Sequence, residues 1–207
     1  GEWGSGDNAA ERFSGVFDGA GYAIKNLVVD RKSYDYSIFG VTDGATIKNL
    51  LVIDCEIKGE GRLGILVGAT FRTTIEQVGV INSKCLNVYS GPHAGGITGP
   101  LYQSSISNSY VFGGEIFGGD GVGGISAIME QGSSITNCYA SCSVEGTVNV
   151  GGLAGYASSA SISNSIALNS KIICHDVNDG RIAGIIHGEN KLSNNYAGEG
   201  VMINNTP

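Results

Sequence analysis

The sequence predicts an all-β fold, a right-handed single-stranded parallel β-helix of about seven coils with three short strands in each coil. Two short phrases recur along the 207 residues, at an interval of about 28 residues that is typical of stacked repeat proteins. The chain contains 34 glycines and only 3 prolines, and no stretch shows the 3.6-residue periodicity of a helix. Hydrophobic residues make up 42% of the chain and charged residues 15%, so the chain has the composition of a folded domain with a core.

The first recurring phrase combines glycine with aliphatic residues. Its copies read SIFG, ILVG, GGITG, GGISA, GGLAG and GIIHG, and they end at Gly40, Gly68, Gly99, Ala127, Gly155 and Gly188. The inward column predicted from them is Ile38, Leu66, Ile97, Ile125, Leu153 and Ile186. Glycine permits a positive φ at corners and a close approach of neighbouring coils. We therefore interpret these glycines as scaffold.

The second phrase has the pattern I-x-N. Its copies begin at Ile24, Ile47, Ile75, Ile106, Ile135, Ile162 and Leu192, and the alternation of a strand predicts that these residues point into the bore. The asparagines predict a further column, with Gln77 as the substitute in one coil: Asn26, Asn49, Asn108, Asn137, Asn164 and Asn194. Asparagine tolerates a left-handed bend, and its amide can both donate and accept hydrogen bonds. We expect a structural Asn ladder inside a corner.

Each repeat also holds a third β-like piece, for example CEIKG from Cys55, GEIFG from Gly114 and CSVEG from Cys142. A β-propeller blade needs four strands and about 40 residues, and an antiparallel sandwich would not place equivalent residues in columns. The parallel β-helix explains both observations, and the chirality of parallel crossovers makes it right-handed. The expected organisation is a cap or linker over 1–12, the β-helix over 13–200 and a tail or cap over 201–207.

Charge and cysteine content exclude several classes of function. The net charge of −7 and the pI near 4.8 disfavour a nucleic-acid partner, and no apolar run reaches the roughly 20 residues of a membrane helix. The five cysteines are an odd number at scattered spacing, which fits neither a disulfide framework nor a zinc site. We expect buried thiols, with a pairing of Cys138 or Cys142 left open for a secreted protein.

Both phrases resemble the GLUG-motif repeats of bacterial surface and secreted proteins, which are named for a Gly-Leu-aliphatic-Gly core. The resemblance rests on GILVG from Gly64, GGLAG from Gly151 and the flanking run FSGVFDGAGYAIKNLVV from Phe13, and it spans most of the chain. It implies an extracellular or cell-surface location and an adhesin-like or accessory role in a larger protein, such as the zinc-dependent immunoglobulin A proteases. It implies no catalytic residue, and Ala127 and Gln77 depart from the repeat.

Candidate catalytic groups do not converge in the sequence. His93, His175 and His187 lie in different repeats and form no H-E-x-x-H motif, so no metal site and no cofactor are expected. The segment HDVNDG from His175 falls one residue short of a calcium loop. Asp18, Asp30, Asp43, Asp54 and Asp120 occupy turn-like positions that favour backbone capping. A polysaccharide lyase or glycosidase remains the alternative, because such enzymes use paired carboxylates.

An outward column two residues after the asparagines is the most informative surface feature: Val28, Leu51, Gly79, Tyr110, Tyr139, Ile166 and Tyr196. Tyr110 and Tyr139 are expected to stack in adjacent coils about 5 Å apart. Tyrosine faces pack against sugar rings or another protein, so the predicted ligand-binding residues are Tyr110, Tyr139 and Tyr196. The alternative is stacking that only stabilises the strands. The sequence thus predicts a non-catalytic module for glycan or surface-protein binding, or a spacer joined to further domains.

Overall fold

The computed structural model describes residues 12–88, 91–189 and 191–204, and these form an all-β parallel solenoid of about six turns. Residues 1–11 of the predicted N-terminal cap and residues 205–207 of the predicted tail lie outside this description. The described residues include no helix long and apolar enough to span a membrane.

Twenty-nine short strands follow one another along the chain. The first ten are β1 (Val16–Asp18), β2 (Ala23–Lys25), β3 (Val28–Tyr34), β4 (Val41–Asp43), β5 (Thr46–Ile53), β6 (Glu56–Glu60), β7 (Arg62–Gly64), β8 (Ala69–Phe71), β9 (Thr74–Ile81) and β10 (Lys84–Asn87). The next ten are β11 (His93–Gly95), β12 (Thr98–Tyr102), β13 (Ser105–Ser107), β14 (Tyr110–Phe112), β15 (Glu115–Phe117), β16 (Asp120–Gly123), β17 (Ser126–Glu130), β18 (Ser134–Thr136), β19 (Tyr139–Ala140) and β20 (Ser143–Gly146). The last nine are β21 (Val148–Gly151), β22 (Ala154–Ser158), β23 (Ser161–Ser163), β24 (Ile166–Ala167), β25 (Lys171–Cys174), β26 (Asp179–Gly180), β27 (Ala183–His187), β28 (Lys191–Ser193) and β29 (Tyr196–Ala197).

The strands form four parallel sheets that run along the solenoid. Sheet 1 contains β1, β2, β5, β9, β13, β14, β18, β19, β23, β24, β28 and β29. Sheet 2 contains β3, β6, β10, β15, β20 and β25; sheet 3 contains β7, β11, β16, β21 and β26; sheet 4 contains β4, β8, β12, β17, β22 and β27. Every strand pairs with its equivalent in the next coil, so like residues lie above one another.

The coil of β16 to β20 contains five strands rather than the three predicted. The I-x-N phrase is divided there into β18 and β19 at Asn137, which has a φ of 54°, whereas Asn49 and Gln77 make the same bend within the continuous strands β5 and β9. The glycine phrase joins a strand of sheet 3 to a strand of sheet 4. The expected count of seven coils is not reproduced either, since sheets 2 and 4 each contain six strands.

The predicted inward columns fill the core in the central coils. Leu66, Ile97, Ile125 and Leu153 are fully buried, as are Ile47, Ile75, Ile106, Ile135 and Ile162. The third repeated piece corresponds to sheet 2, where Ile57, Ile116 and Val144 point into the same core. Burial of branched aliphatic side chains in register is the main stabilising contribution to this fold.

The glycines of GGLAG allow the backbones of neighbouring coils to approach closely. They do not turn the corners of the coil. Gly151, Gly152 and Gly155 do not have a positive φ, whereas the corners are turned mostly by asparagine and other residues. A Cβ added to Gly151 would overlap the carbonyl oxygen of Ala154 and lie 2.8 Å from the Cα of Ala183 in the next coil. The backbone itself therefore occupies the space that a side chain would need.

The register corrects the last copy of the glycine phrase. Ala154 pairs with Ala183, which aligns GGLAG with GRIAG at 180–184 and not with GIIHG. Ile182 takes the place predicted for Ile186 in the inward column and packs against the core. Ile186 lies instead beside Ala157, and it is 43% exposed because, within the described residues, no further strand stacks on β27. Leu192, also in the final coil, is likewise 43% exposed.

The first copy of the I-x-N phrase is also displaced. Ile24 pairs with Val52, whereas Phe17 pairs with Ile47. Asn26 consequently does not belong to the column of Asn49; its backbone N–H donates to Ile53 O at 3.1 Å, next to Asp54. Phe17 and Phe13 pack against Phe39 with ring centroids 5.1 and 5.4 Å apart, so aromatic residues fill this end of the core.

Candidate ligand-binding face

The predicted tyrosine column lies on the outer side of sheet 1. Tyr110 pairs with Gly79 and Tyr139, and Tyr139 pairs with Ile166, which pairs with Tyr196. Leu51 continues the column below Gly79. Val28 does not belong to it, because Val28 pairs with Glu56 on sheet 2. The displaced first copy of the I-x-N phrase explains this error.

Tyr110 and Tyr139 stack with their ring centroids 5.1 Å apart and their planes 4° from parallel. Gly79 provides the space for this arrangement. A Cβ at Gly79 would lie 2.5 Å from both Cζ and the hydroxyl of Tyr110, so the ring of Tyr110 leans over the glycine toward the preceding coil. Both tyrosines are half-buried, and burial together with the neighbouring Tyr110 raises the pKa of the Tyr139 phenol.

A second outward column, which the sequence interpretation did not identify, runs beside the tyrosines. It lies two residues further along the chain and contains the apolar residues Ile53, Ile81, Phe112 and Leu168, interrupted by Ser141 and Gly198. Phe112 is 53% exposed and Leu168 is 46% exposed. Simple strand alternation from the tyrosines would have revealed this column. We define the aromatic facet as these six residues together with Leu51, Gly79, Tyr110, Tyr139, Ile166 and Tyr196.

An asparagine ladder borders one side of the aromatic facet. It contains Asn49, Gln77, Asn108, Asn137, Asn164 and Asn194, all with φ between 50° and 54°. The Nδ2 group of Asn137 donates to Oδ1 of Asn108 at 3.2 Å, and Asn194 donates to Asn164 in the same way at 3.2 Å. The side chains point to the surface and not into the bore as predicted, because the bend places two successive residues outside.

Buried backbone groups inside this corner are satisfied by a serine wherever one follows the asparagine. Ser109 Oγ accepts from the backbone N–H of Val78 at 3.1 Å and donates to the carbonyl of Ser107 at 2.7 Å. Ser165 Oγ accepts equivalently from the N–H of Cys138 at 3.1 Å. A small residue follows the asparagine in N-S-Y at 108–110 and in N-C-Y at 137–139. This recurring small residue could have predicted the inner column from the sequence.

The central part of this face carries no charge. No charged residue occurs in 105–112, 134–141 or 161–168, three equivalent segments in successive coils. Sheet 2 borders the other side, and its outward column alternates Glu56, Lys84 and Glu115. Lys84 lies 3.6 Å from Glu115, so acid and base are paired along this border. The aromatic facet is therefore a narrow neutral strip on a chain with a net charge of −7.

Asp18, Asp30, Asp43 and Asp120, four of the acids considered as catalytic candidates, have structural contacts. Asp18 accepts hydrogen bonds from Asn49 and the N–H of Ala20, both at 2.9 Å, and these contacts lower its pKa. Lys58 lies 3.1 Å from Asp30, and Asp43 lies 2.6 Å from Arg72. Asp120 accepts from Asn149 at 2.7 Å.

The metal-binding residue types do not assemble into a site in the described segments. No group of three or more His, Cys, Asp or Glu residues is placed to hold a metal ion there. His93 Nδ1 lies 2.7 Å from the carbonyl of Asp120, His175 lies 3.0 Å from Glu145, and His187 packs against Tyr156.

The five cysteines are free and buried. Burial raises the pKa of Cys85 and Cys142 to about 12 and that of Cys138 to about 11. Thiolate is the reactive form of cysteine, so these residues act as small apolar groups of the core. Cys138 and Cys142, for which a pairing was left open, are not joined.

Comparison with known proteins identifies similar folds and no family. No protein-family model matches the chain. The chain is 36% identical to Halomucin from Haloquadratum walsbyi over 74 residues, which are 33% of this chain and 1% of that protein. A solved structure from Bacteroides ovatus, provisionally described as an immunoglobulin A1 protease, is similar with a TM-score of 0.67 and 23% identity. The similarity covers 91% of this chain and 62% of the other, so this chain spans under two thirds of its neighbour. That likeness supports the parallel solenoid fold.

Proposed function

We propose that the protein is a non-catalytic binding module of a surface or secreted protein, and that the aromatic facet is its binding face. The observation that carries the proposal is the exposed row of aromatic and aliphatic side chains on sheet 1. Tyr196 is 55% exposed, Phe112 53% and Ile166 38%. Contiguous exposed apolar side chains with a polar border are typical of interaction surfaces. The predicted ligands are a glycan or a protein of a host or bacterial surface.

Three further observations support the finer parts of this proposal. The repeated phrases resemble the GLUG motif, and we propose that the solenoid is of that type with a right-handed winding. The similarity to Halomucin, which covers 1% of that protein, is consistent with a module of a larger extracellular protein. Asp18, Asp30 and Asp43 contact lysine, arginine, asparagine or backbone groups, which favours binding over glycoside hydrolysis, a reaction that needs a free carboxylate pair.

The proposal is tested by screening the protein against a glycan array and a panel of purified surface proteins. The variants Tyr110→Ala and Tyr139→Ala should lose the retained ligand. Tyr156→Ala is the matched control, because Tyr156 is a half-buried outward residue of sheet 4 and lies away from the facet. Binding that survives both facet substitutions would refute the binding face. Release of sugar products from a polysaccharide would refute the non-catalytic assignment and favour the lyase or glycosidase alternative.

A further inference from the structure

The size of the aromatic facet restricts what can bind to it. Six layers spaced about 4.8 Å apart give a length of about 25 Å, and two outward residues per strand give a width of about 10 Å. The flat area is therefore about 250 Å², whereas a stable protein interface buries about 800 Å² on each partner. The apolar area is therefore too small for a stable interface with a folded protein or with a second copy of this chain. The shape fits a narrow polymer lying along the solenoid axis.

An extended peptide is a poor match for this narrow surface. Peptides that bind to sheets gain affinity from main-chain hydrogen bonds at a free sheet edge. The aromatic facet is a sheet face, and its backbone groups are used between coils: Tyr139 N–H donates to Ser109 O at 3.2 Å, and Ile166 N–H donates to Cys138 O at 2.9 Å. A peptide backbone on this face would lose its hydration without obtaining equivalent partners.

The side chains offer the groups that a sugar chain requires. A pyranose ring has apolar C–H faces and polar edges, and it packs on tyrosine while its hydroxyl groups bind to neighbouring polar groups. Tyr110 and Tyr139 stack face to face with centroids 5.1 Å apart, so a ligand meets the outer edges of these rings, and the Asn ladder runs along their border. Asn137 uses one of its two amide N–H groups on Asn108, which leaves a donor and an acceptor oxygen at the surface.

The charge distribution around the aromatic facet favours neutral over acidic polysaccharides. The three central coils contribute no charged side chain to this face. Lys191 lies beyond them, in the next coil beside Ser161, and Lys84 on sheet 2 is paired with Glu115. An acidic polymer would require unpaired cations to replace its counterions. Building on the proposed binding face, we infer that its ligand is an uncharged linear polysaccharide that lies along the solenoid axis, packed against Phe112 and the outer edges of Tyr110 and Tyr139 and hydrogen-bonded to the Asn ladder.

The experiment measures retention of the full chain in native gels that contain a neutral polysaccharide, with hydroxyethylcellulose, mannan and dextran as probes, and by depletion onto insoluble cellulose and chitin. Polygalacturonate and heparin are the acidic comparison. We expect retention by at least one neutral polymer and unchanged retention between about 0.05 and 0.5 M NaCl, since no charge is neutralised. Tyr139→Ala should raise the half-retention concentration about tenfold, Asn137→Ala should raise it by a smaller factor, and Tyr156→Ala should leave it unchanged.

The outcomes separate this inference from the proposed function. Retention by acidic polymers alone, with loss in high salt, would overturn the inference. Capture of a deglycosylated protein that Tyr139→Ala abolishes would overturn it too, although the facet would remain the binding face. Neutral-polymer retention that is insensitive to Tyr110→Ala and Tyr139→Ala would overturn both proposals. Circular dichroism and thermal unfolding of each variant show whether a loss reflects the surface or the fold.

Discussion

Replacement of Gly123 by alanine tests the close approach of neighbouring coils. Gly123 ends β16 and pairs with Gly95 and Gly151 in the adjacent coils. A Cβ at this position would overlap the carbonyl oxygen of Ser126 and would lie 2.7 Å from the N of Gly155 and 2.8 Å from the Cα of Ala154. All three are backbone atoms, so no side chain can rotate away to make room. The coil itself would have to move.

The expected cost lies at the upper end of the range for an overpacked core. Inserting a methyl group into a well-packed interior costs about 1–3 kcal/mol, and a contact with backbone on both sides places Gly123→Ala near 3 kcal/mol, or about a quarter of a typical domain stability. For a chain of this length each kcal/mol lowers the Tm by about 2–4 °C. The Tm should therefore fall by about 6–12 °C.

Differential scanning calorimetry measures this Tm, and Gly200→Ala is the matched control. Gly200 has no neighbour within 4 Å of an added Cβ and no positive φ, so its replacement should leave the Tm unchanged or raise it slightly through reduced freedom of the unfolded chain. If Gly123→Ala lowers the Tm by no more than Gly200→Ala does, the recurring glycines are not required for coil spacing.

Three further predictions concern the interior and the tyrosine column. Burial raises the pKa of Cys85 to about 12 from 9.0; a thiol-reactive disulfide reagent at pH 8 should therefore modify this residue only after unfolding. The unfolded chain loses that proton first, so Cys85 should reduce the free energy of unfolding as the pH rises from about 9 toward 12. Ser109→Ala leaves the buried N–H of Val78 without its acceptor and should cost about 1–3 kcal/mol in urea unfolding. The pKa of Tyr139 is raised by burial and then by Tyr110; absorbance titration should show its ionisation above that of ordinary tyrosine, and Tyr110→Phe should lower its pKa.

Each of these measurements has an outcome that contradicts the stated cause. Rapid labelling of Cys85 in the folded protein would show that the core opens readily. Ser134→Ala is the control for Ser109→Ala, because Ser134 is only half-buried on the outer side of sheet 1; equal costs for the two would argue against the buried hydrogen bond. A Tyr139 pKa that does not respond to Tyr110→Phe would mean that the stacked phenols do not interact electrostatically.

The sequence was sufficient to predict the parallel solenoid and the central columns. Each coil there has a neighbour on both sides with the same pattern, so Ile106, Ile135 and Ile162 identify one another as equivalent. The stacking of Tyr110 on Tyr139 followed from the same alignment, and the structure places their rings 5.1 Å apart. The position of a residue in a central coil can therefore be inferred from the equivalent residues of several neighbouring coils.

The terminal copies were misassigned because a phrase at an end has only one neighbour for comparison. IKNLVV at Ile24 matches the I-x-N pattern, yet Phe17 occupies that column and Ile24 lies in the next one. Asn26 still bends the chain with a φ of 56°, so the conformation was predicted and the column was not. GRIAG and GIIHG share Gly184, and their other glycines differ in backbone clearance: an added Cβ would overlap the carbonyl oxygen of Ala183 at Gly180, whereas its nearest neighbour at Gly188 is Ser159 Oγ at 3.5 Å.

The direction of the Asn ladder could not be obtained from simple alternation. A residue with a positive φ changes the phase of the strand, so that inward Ile135 is followed by two outward residues before buried Cys138. Alternation counted across the bend therefore assigned the asparagines to the wrong side. The same count, applied only beyond the bend, would have identified Phe112 and Leu168 as partners of the tyrosines.

The exposed inward-pointing residues of the final coil indicate that this coil is less stable than the central ones. Ile186 and Leu192 point along inward columns yet remain 43% exposed, and in the described residues β27 and β28 pair only with β22 and β23. Solenoid layers are held by their neighbours, so a layer with one neighbour has about half of the usual restraint. Amide protons of this coil should therefore exchange earlier than those of the central coils, which have a neighbour on both sides.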